Sequence, residues 1–357
     1  MHGNFYEQKK ILLTGHTGFK GTWMSFLLER LGAKVYGYAL PDEGRTFFQD
    51  AAPKVEASYE GDITDQKHLE AVLSQTNPEI VIHFASHSSL NDCMEKPEYI
   101  LNTNIMGLVR LMEAVKKTTS VRTVLIITSD KCYKNLDTNQ LYIESNPLGA
   151  QDPYSTSKAC QEMIAECYKT SFFQTEGQKI ALATARASNV IGGGDYNSSR
   201  LIPYLLECFS QQKKAAVRKP DAVRTWQYVL DVLGGYLLLI EKMYQEQDAN
   251  SLYCNAFNFG PSPDGFVSVG ELANMLSAQF PGSTYQVIEE KRNVMETNVF
   301  RLDSSKAQQI LGWQQVYNFD ETIRLIADYK KRSMTGESIR ELCLDYVDQY
   351  LKRSRGI

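Results

Sequence analysis

The chain has 357 residues, 43% apolar and 22% charged, with a formal net charge of -4. It is long enough for one large domain or two unequal ones, and the charge balance gives no reason to expect nucleic acid or an anionic membrane as partner. Seven scattered cysteines without a CxxC pair argue for reduced thiols in a cytoplasm and against a disulfide framework or a zinc site, so no metal is expected.

The opening, MHGNFYEQKKILLTG, runs straight into a strand-like stretch, so no leader is expected, and no apolar run approaches the roughly 18 residues that span a bilayer. KILLTG is followed by a helical pattern from about Gly18 to Leu31, then by AKVYGYAL. After EASYEGDI comes a second helical stretch and then EIVIHFAS. TVLIITS is preceded by NIMGLVRLMEAVKKT and followed by the helix-like YSTSKACQEMIAECYKTSF; IALATARASNVIG supplies a further strand. Fully apolar strands separated by helices predict an α/β fold, a doubly wound parallel sheet of Rossmann type. Beyond about residue 192 the rhythm changes without a low-complexity linker. The expectation is a Rossmann domain over 1–191 and a smaller α/β substrate-binding lobe over 192–357, interleaved with the first.

Three motifs carry chemistry. TGHTGFKG places Gly15, Gly18 and Gly21 between a strand and a helix. Gly15 suits a tight turn, Gly18 lets backbone approach a phosphate, and Gly21 permits close helix packing. A glycine triplet alone is weak evidence, because turns are glycine-rich anyway; the strand before and helix after strengthen it. The second strand ends at Tyr38 where an acidic residue commonly binds ribose, so Asp42, Glu43 or the backbone is the substitute; Arg45 keeps NADP open, and NAD is favoured. PYSTSK sets Tyr154 and Lys158 one helical turn apart, so that the ammonium favours the phenolate. IITSDKCYKN ends an apolar strand in Thr128, Ser129, Asp130 and Lys131. Those charges either cap a helix or perform acid–base chemistry.

TGHTGFKG, GDITD, VIHFAS, TSDKCY, YSTSK, SNVIGGGD and RTWQYV together resemble the extended short-chain dehydrogenase/reductase family that acts on nucleotide sugars, from Lys10 to about Trp313. The resemblance implies a Rossmann domain holding NAD, a C-terminal lobe holding a sugar nucleotide, and a homodimer formed through a bundle of helices. The family's epimerases carry small hydroxyl residues where this chain has TSDK, whereas its 4,6-dehydratases carry an acid–base pair, commonly Asp-Glu. By that analogy Asp130 is the general acid, Lys131 replaces the glutamate as base, and Ser129 lines the sugar beside Tyr154 and Lys158. These roles need Asp130 protonated and Lys131 neutral at the relevant moment. The implied activity is a hydro-lyase reaction on CDP-glucose, feeding deoxysugar synthesis for a surface polysaccharide such as O-antigen. A dehydratase for another nucleotide, a 4-epimerase and a silent NAD-binding scaffold are the alternatives.

The same analogy assigns Gly15, Thr17, Gly18, Phe19, Lys20, Gly21, Asp62, Ile63, Ala85, Asn104 and Thr128, with Tyr154 and Lys158, to the cofactor. It assigns Asn189, Arg200 and Arg224 to the sugar nucleotide, although for each arginine alone a solvated surface charge is the commoner reading. His83 and Cys132 read as core. One departure stands out: ASHSSLNDCMEKP puts Asn91 near the place where an arginine is expected.

Overall fold

The computed structural model describes residues 4–42, 44–88, 90–134, 140–173, 179–248, 250–289 and 301–354. In chain order its strands are β1 (Lys10–Thr14), β2 (Lys34–Ala39), β3 (Ala57–Glu60), β4 (Ile80–His83), β5 (Thr123–Ile127), β6 (Leu141–Tyr142), β7 (Ala181–Ala187), β8 (Asn189–Ile191), β9 (Ala215–Val217), β10 (Val223–Tyr228), β11 (Ala256–Phe259), β12 (Phe266–Ser268), β13 (Tyr285–Val287) and β14 (Arg301–Leu302).

Seven of them form one sheet in the order β11-β7-β5-β4-β1-β2-β3, with every pair parallel. The strand alternation shows why the central strands are apolar throughout. Ile11, Leu13, Ile80, Ile82, Leu125 and Ile127 point to one face, where the helices Phe19–Arg30, Val229–Glu246 and Ile339–Ser354 cover them. Leu12, Val81, Val124 and Ile126 point to the other, under Gln66–Thr76, Gly107–Lys116 and Pro153–Ser171. Both faces being dry, a polar side chain at either would be buried without water.

The strand order reverses between β1 and β4, which opens a crevice at the carboxyl edge of the sheet. Chain beyond residue 191 contributes β11 to this sheet and also builds a second layer. There β8, β10 and β12 form a three-stranded sheet, flanked by the β9–β13 pair, over a core that includes Leu205, Phe209, Trp226, Leu272 and Ile323. Trp23 ties the two parts, its Nε1 donating to Gly193 O at 2.9 Å.

The stretch before β5 is not one regular helix. Pro97–Leu101 and Gly107–Lys116 are joined by a turn widened to i→i+5 spacing over Asn102–Met106. Such widened turns re-aim side chains near functional sites, and this one turns Asn104 inward.

Leu125 is fully buried in the central strand β5. Leu125→Ala is expected to lower stability by about 2–5 kcal/mol in urea unfolding, because its neighbours cannot close the gap.

Candidate active site

The glycine turn follows directly from its contacts. Gly15 has φ +72°, and a Cβ there would lie 2.7 Å from Ala85 N. A Cβ on Gly21 would lie 2.2 Å from Gly15 O, so only glycine lets the helix start so close to β1. Gly18 begins that helix, and no side chain caps it. The first amides of the helix, from Phe19 and Lys20, are therefore open to an anion at the positive end of the helix dipole. The Phe19 ring itself packs into the core.

Beside the tip of β2 lies a cavity of about 360 Å³, whose lining includes His16, Thr17, Asp42, Lys54 and Glu60. Asp42 accepts from Thr46 Oγ at 3.2 Å. Arg45 instead pairs with Asp50 (2.7 Å) and points into solvent; Glu43 lies outside the described residues. Asp62 follows β3, its Oδ1 accepting from Thr64 N and Oγ, each at 2.8 Å. Ala85 follows β4, its N–H donating to Thr14 Oγ (3.3 Å). Ile63 belongs to the core, packed against Gly107.

Asn104, expected along the dinucleotide path, sits beside the loop that follows β4. It is fully buried, and its amide is already engaged: Oδ1 accepts from His87 N (2.8 Å) and Ser86 Oγ (3.2 Å), while Nδ2 donates to Ser157 Oγ (2.8 Å) and His87 O (3.1 Å). It thus holds the loop after β4 against the helix that carries Tyr154.

That helix, Pro153–Ser171, is started by the Asp152 carboxylate, which accepts from Ser155 N at 2.9 Å, and by Pro153 in its first turn. Lys158 is 3% exposed, and its Nζ donates to Ile127 O (3.2 Å) and Gln161 Oε1 (2.9 Å), 5.9 Å from the Tyr154 ring centre. Burial, reinforced by the charge of Lys20, pushes the Lys158 amine down to about 7. Burial raises the Tyr154 phenol, against a hydrogen bond with Ser129 and the charge of Arg200. Lys20 is itself lowered to about 8, mainly by burial and by Arg200.

The cluster after β5 separates capping from chemistry. Ser129, not Asp130, caps the short turn Asp130–Cys132, accepting from Lys131 N at 3.2 Å and donating to Asp130 Oδ1 at 2.8 Å. Asp130 is 5% exposed, and burial raises its pKa against the opposing pull of Lys131, Ser129 and Lys20. Lys131 is half-buried beside it. Thr128 sits just before, its hydroxyl donating to Glu162 Oε1. His83 and Cys132 are core residues; His83 Nδ1 shares a hydrogen bond with Thr14 Oγ (2.8 Å), and burial lowers its pKa to about 3.

Asn189, Arg200 and Arg224 come together in a second cavity of about 510 Å³, which Arg218, Tyr204 and Trp226 also line. Asn189 Nδ2 donates to Thr225 O (3.1 Å), and Arg200 pairs with Asp195 (3.0 Å) and donates to Ser88 Oγ (3.2 Å). Arg218 and Trp226 escaped the sequence reading, although Trp226 stands inside the RTWQYV stretch and Arg218 shortly before it. Tyr236 was also missed: it is fully buried near Asp130 and Tyr154, and its hydroxyl has no hydrogen-bond partner among the described residues. The Asn91 side chain lies outside the described ones.

Residues 12–326 match the family described as GDP-mannose 4,6 dehydratase. The chain is 36% identical over 341 residues to CDP-glucose 4,6-dehydratase of Salmonella typhimurium, covering 94% of both chains. It is 26% identical over 280 residues to UDP-glucose 4-epimerase of Mycoplasma pneumoniae, covering 73% of this chain and 80% of the other. Among solved structures, dTDP-glucose 4,6-dehydratase from Bacillus anthracis in complex with NAD has a TM-score of 0.75 at 21% identity, covering 92% of this chain and 98% of that one. The fold is thus shared with that structure.

The buried amine has a consequence for stability. Lys158 has its folded pKa below the 10.5 of an unfolded lysine, so its interior charge weakens the fold fully below about 7, and the penalty fades as pH rises towards 10.5. Lys158→Met should therefore gain stability relative to the parent chain as pH falls from about 10 to about 6, read by urea unfolding at both pH values. A difference independent of pH would contradict the depressed pKa.

Proposed function

The chain belongs to the GDP-mannose 4,6-dehydratase family, and on that premise we propose that it removes water from a nucleotide-linked hexose, CDP-glucose first, giving the 4-keto-6-deoxy sugar with NAD as cofactor. The observation that carries this reading is the buried Asp130 carboxyl, next to Lys131 and on the same crevice as Tyr154 and Lys158. Epimerisation at C4 needs no acid–base pair across C5 and C6.

The residues fit the cofactor. Gly15 and Gly21 have no room for a Cβ, which brings the helix start against β1, and Gly18 opens that helix with uncapped amides for a diphosphate. Asp42 and Glu60 line the cavity beside β2 with one ammonium, Lys54, so the carboxylates outnumber the cation and oppose a 2′-phosphate, and Arg45 is engaged by Asp50. NAD is therefore the form that fits, with Thr17 in the cavity lining and Asp62 near the adenine. Bound there, NAD would supply an acceptor for the C4 hydride, a donor for its return to C6, and positive charge favouring the Tyr154 phenolate.

The chain's own groups do the proton work. Tyr154 takes the O4 proton, and Lys158 stabilises the phenolate from beneath. The resulting 4-ketone acidifies C5, from which Lys131 removes a proton. Asp130, whose hold on its proton burial strengthens, donates that proton to the C6 hydroxyl, which leaves as water. The proton on Lys131 returns to C5 at the close. Arg200, Arg218 and Arg224 ring the second cavity and suit a diphosphate, since guanidinium matches phosphate oxygens in bidentate fashion. Ser129, which donates to Asp130 Oδ1 and acts on the Tyr154 phenol, lines the sugar between them.

Two coarser traits extend to finer ones. No helix among the described residues is long and apolar enough to cross a membrane, and with free cysteines throughout we place the protein in the cytoplasm. A homodimer through helices is supported by Met106, Met163 and Phe172, exposed near or on Gly107–Lys116 and Pro153–Ser171.

Incubation with CDP-, dTDP-, UDP- and GDP-glucose separately, followed by mass spectrometry, tests the reading. Loss of one water from CDP-glucose alone is expected. Loss from another donor moves the nucleotide, and conversion without a mass change makes the protein an epimerase. Lys131→Met should lower dehydration by about 100-fold or more, the usual worth of a positioned acid or base; full activity would remove that lysine from the mechanism.

A further inference from the structure

The reacting groups sit on two separate elements: Ser129, Asp130 and Lys131 on a short turn after β5, Tyr154 and Lys158 on the helix Pro153–Ser171. Backbone hydrogen bonds hold the ends of that turn: Thr128 N donates to Ala185 O at 2.9 Å, Gly149 N to Cys132 O at 2.9 Å and Lys134 N to Pro147 O at 2.8 Å. Those bonds fix the backbone of the turn, and a buried network of side chains behind the crevice connects it to the helix that carries Tyr154.

Glu162 lies one turn beyond Lys158 on the same helix face, and its Oε1 accepts from Thr128, the residue before Ser129. Its Oε2 accepts from Thr184 Oγ (2.7 Å) and from Arg186 Nη2 (2.7 Å) on β7. The other arm of Arg186 reaches past the turn: Nη1 donates to Tyr133 OH at 2.7 Å and to Glu144 O at 3.1 Å. Tyr133, the residue after the turn, donates in its own right to Asn258 Oδ1 (2.7 Å) on β11. One ion pair thus grips the helix and both ends of the turn.

The pair is a costly way merely to fill space. Both side chains are 4% exposed, and two desolvated charges often stabilise no more than apolar residues of equal volume. What the guanidinium fork adds is direction, fixing two partners at set angles. Glu162, Arg186 and Tyr133 have no place in the proposed proton transfers.

We propose that Glu162, Arg186 and Tyr133 are positioning residues that hold the Asp130–Lys131 pair in register with Tyr154, and that they serve the elimination step in particular. The inference rests on the dehydratase reading. It singles out elimination because Tyr154 has separate anchors: the Asp152 cap, the Asn104–Ser157 bond and the two bonds of Lys158. Releasing Tyr133 loosens the acid–base pair and leaves the C4 oxidation in place.

Tyr133→Phe keeps the ring and removes only the hydroxyl, with Arg186 still paired to Glu162. With the NAD-loaded enzyme and CDP-glucose, kcat should fall about tenfold or more while KM stays within about threefold, since a small misplacement of reacting groups is paid in rate. Oxidation outrunning elimination should also make reduced nicotinamide build up in the steady state, read by its absorbance. Arg186→Lys, which keeps the charge but loses the fork, carries the same expectation should Tyr133→Phe not fold. Thr184→Val removes a hydroxyl from the same carboxylate without touching the turn, and should leave the balance of oxidation and elimination unchanged. Parental kinetics in Tyr133→Phe, a loss of rate with no build-up, or the same build-up in Thr184→Val would overturn the inference. Failure of the parent enzyme to dehydrate any nucleotide sugar would overturn the functional reading instead.

Discussion

A parallel sheet covered on both faces leaves its carboxyl edge as the place where polar side chains can gather. In this chain β4, β5 and β7 are buried along their whole length. Thr14, Ala85 and Thr128 stand at or just past the ends of β1, β4 and β5, beside one crevice. Every group assigned to chemistry is within reach of that edge or on the helix packed next to it. The constraint also explains the electrostatics. Near the edge burial is deep, so an amine such as Lys158 is driven towards its neutral form and a carboxyl such as Asp130 towards its protonated form. Desolvation that would harm a surface charge here raises the affinity of an aspartate for its proton.

The second layer depends on the first for its position. β8 leaves the end of β7 after a single residue and pairs with β10, which carries Arg224 and Trp226 to the wall of the second cavity. Arg200 then stands between the two halves, its charge acting on both Lys20 and Tyr154. A cation at that point can steady a diphosphate while its field favours ionisation of the catalytic phenol.

Much of this was legible in the sequence, and the reasons are local. Apolar runs of strand length, a glycine turn between strand and helix, and Tyr154 with Lys158 one turn apart all depend on neighbours in the chain. What escaped depends on distance. Glu162 and Arg186 are 24 residues apart and meet only because β7 lies beside β5. Asn104 was assigned to the cofactor path, but a widened turn sends it into the loop after β4, a change of facing that no spacing rule anticipates. Ile63, read as a cofactor contact, serves the core. The cluster at the end of β5 was ambiguous for a physical reason: hydroxyl, carboxylate and ammonium in a row suit a cap as well as a catalyst. In the structure Ser129 is the cap and Asp130 is buried.

The central claim is that one crevice oxidises C4, removes water across C5 and C6, and reduces C6 with the hydride it first took. CDP-glucose carrying deuterium at C4 tests it in a single turnover assay, with the product examined by NMR. The account predicts that the deuterium moves to the C6 methyl group of a 4-keto-6-deoxy product. Deuterium lost to solvent, or kept at C4 of a product that has lost no water, would contradict it.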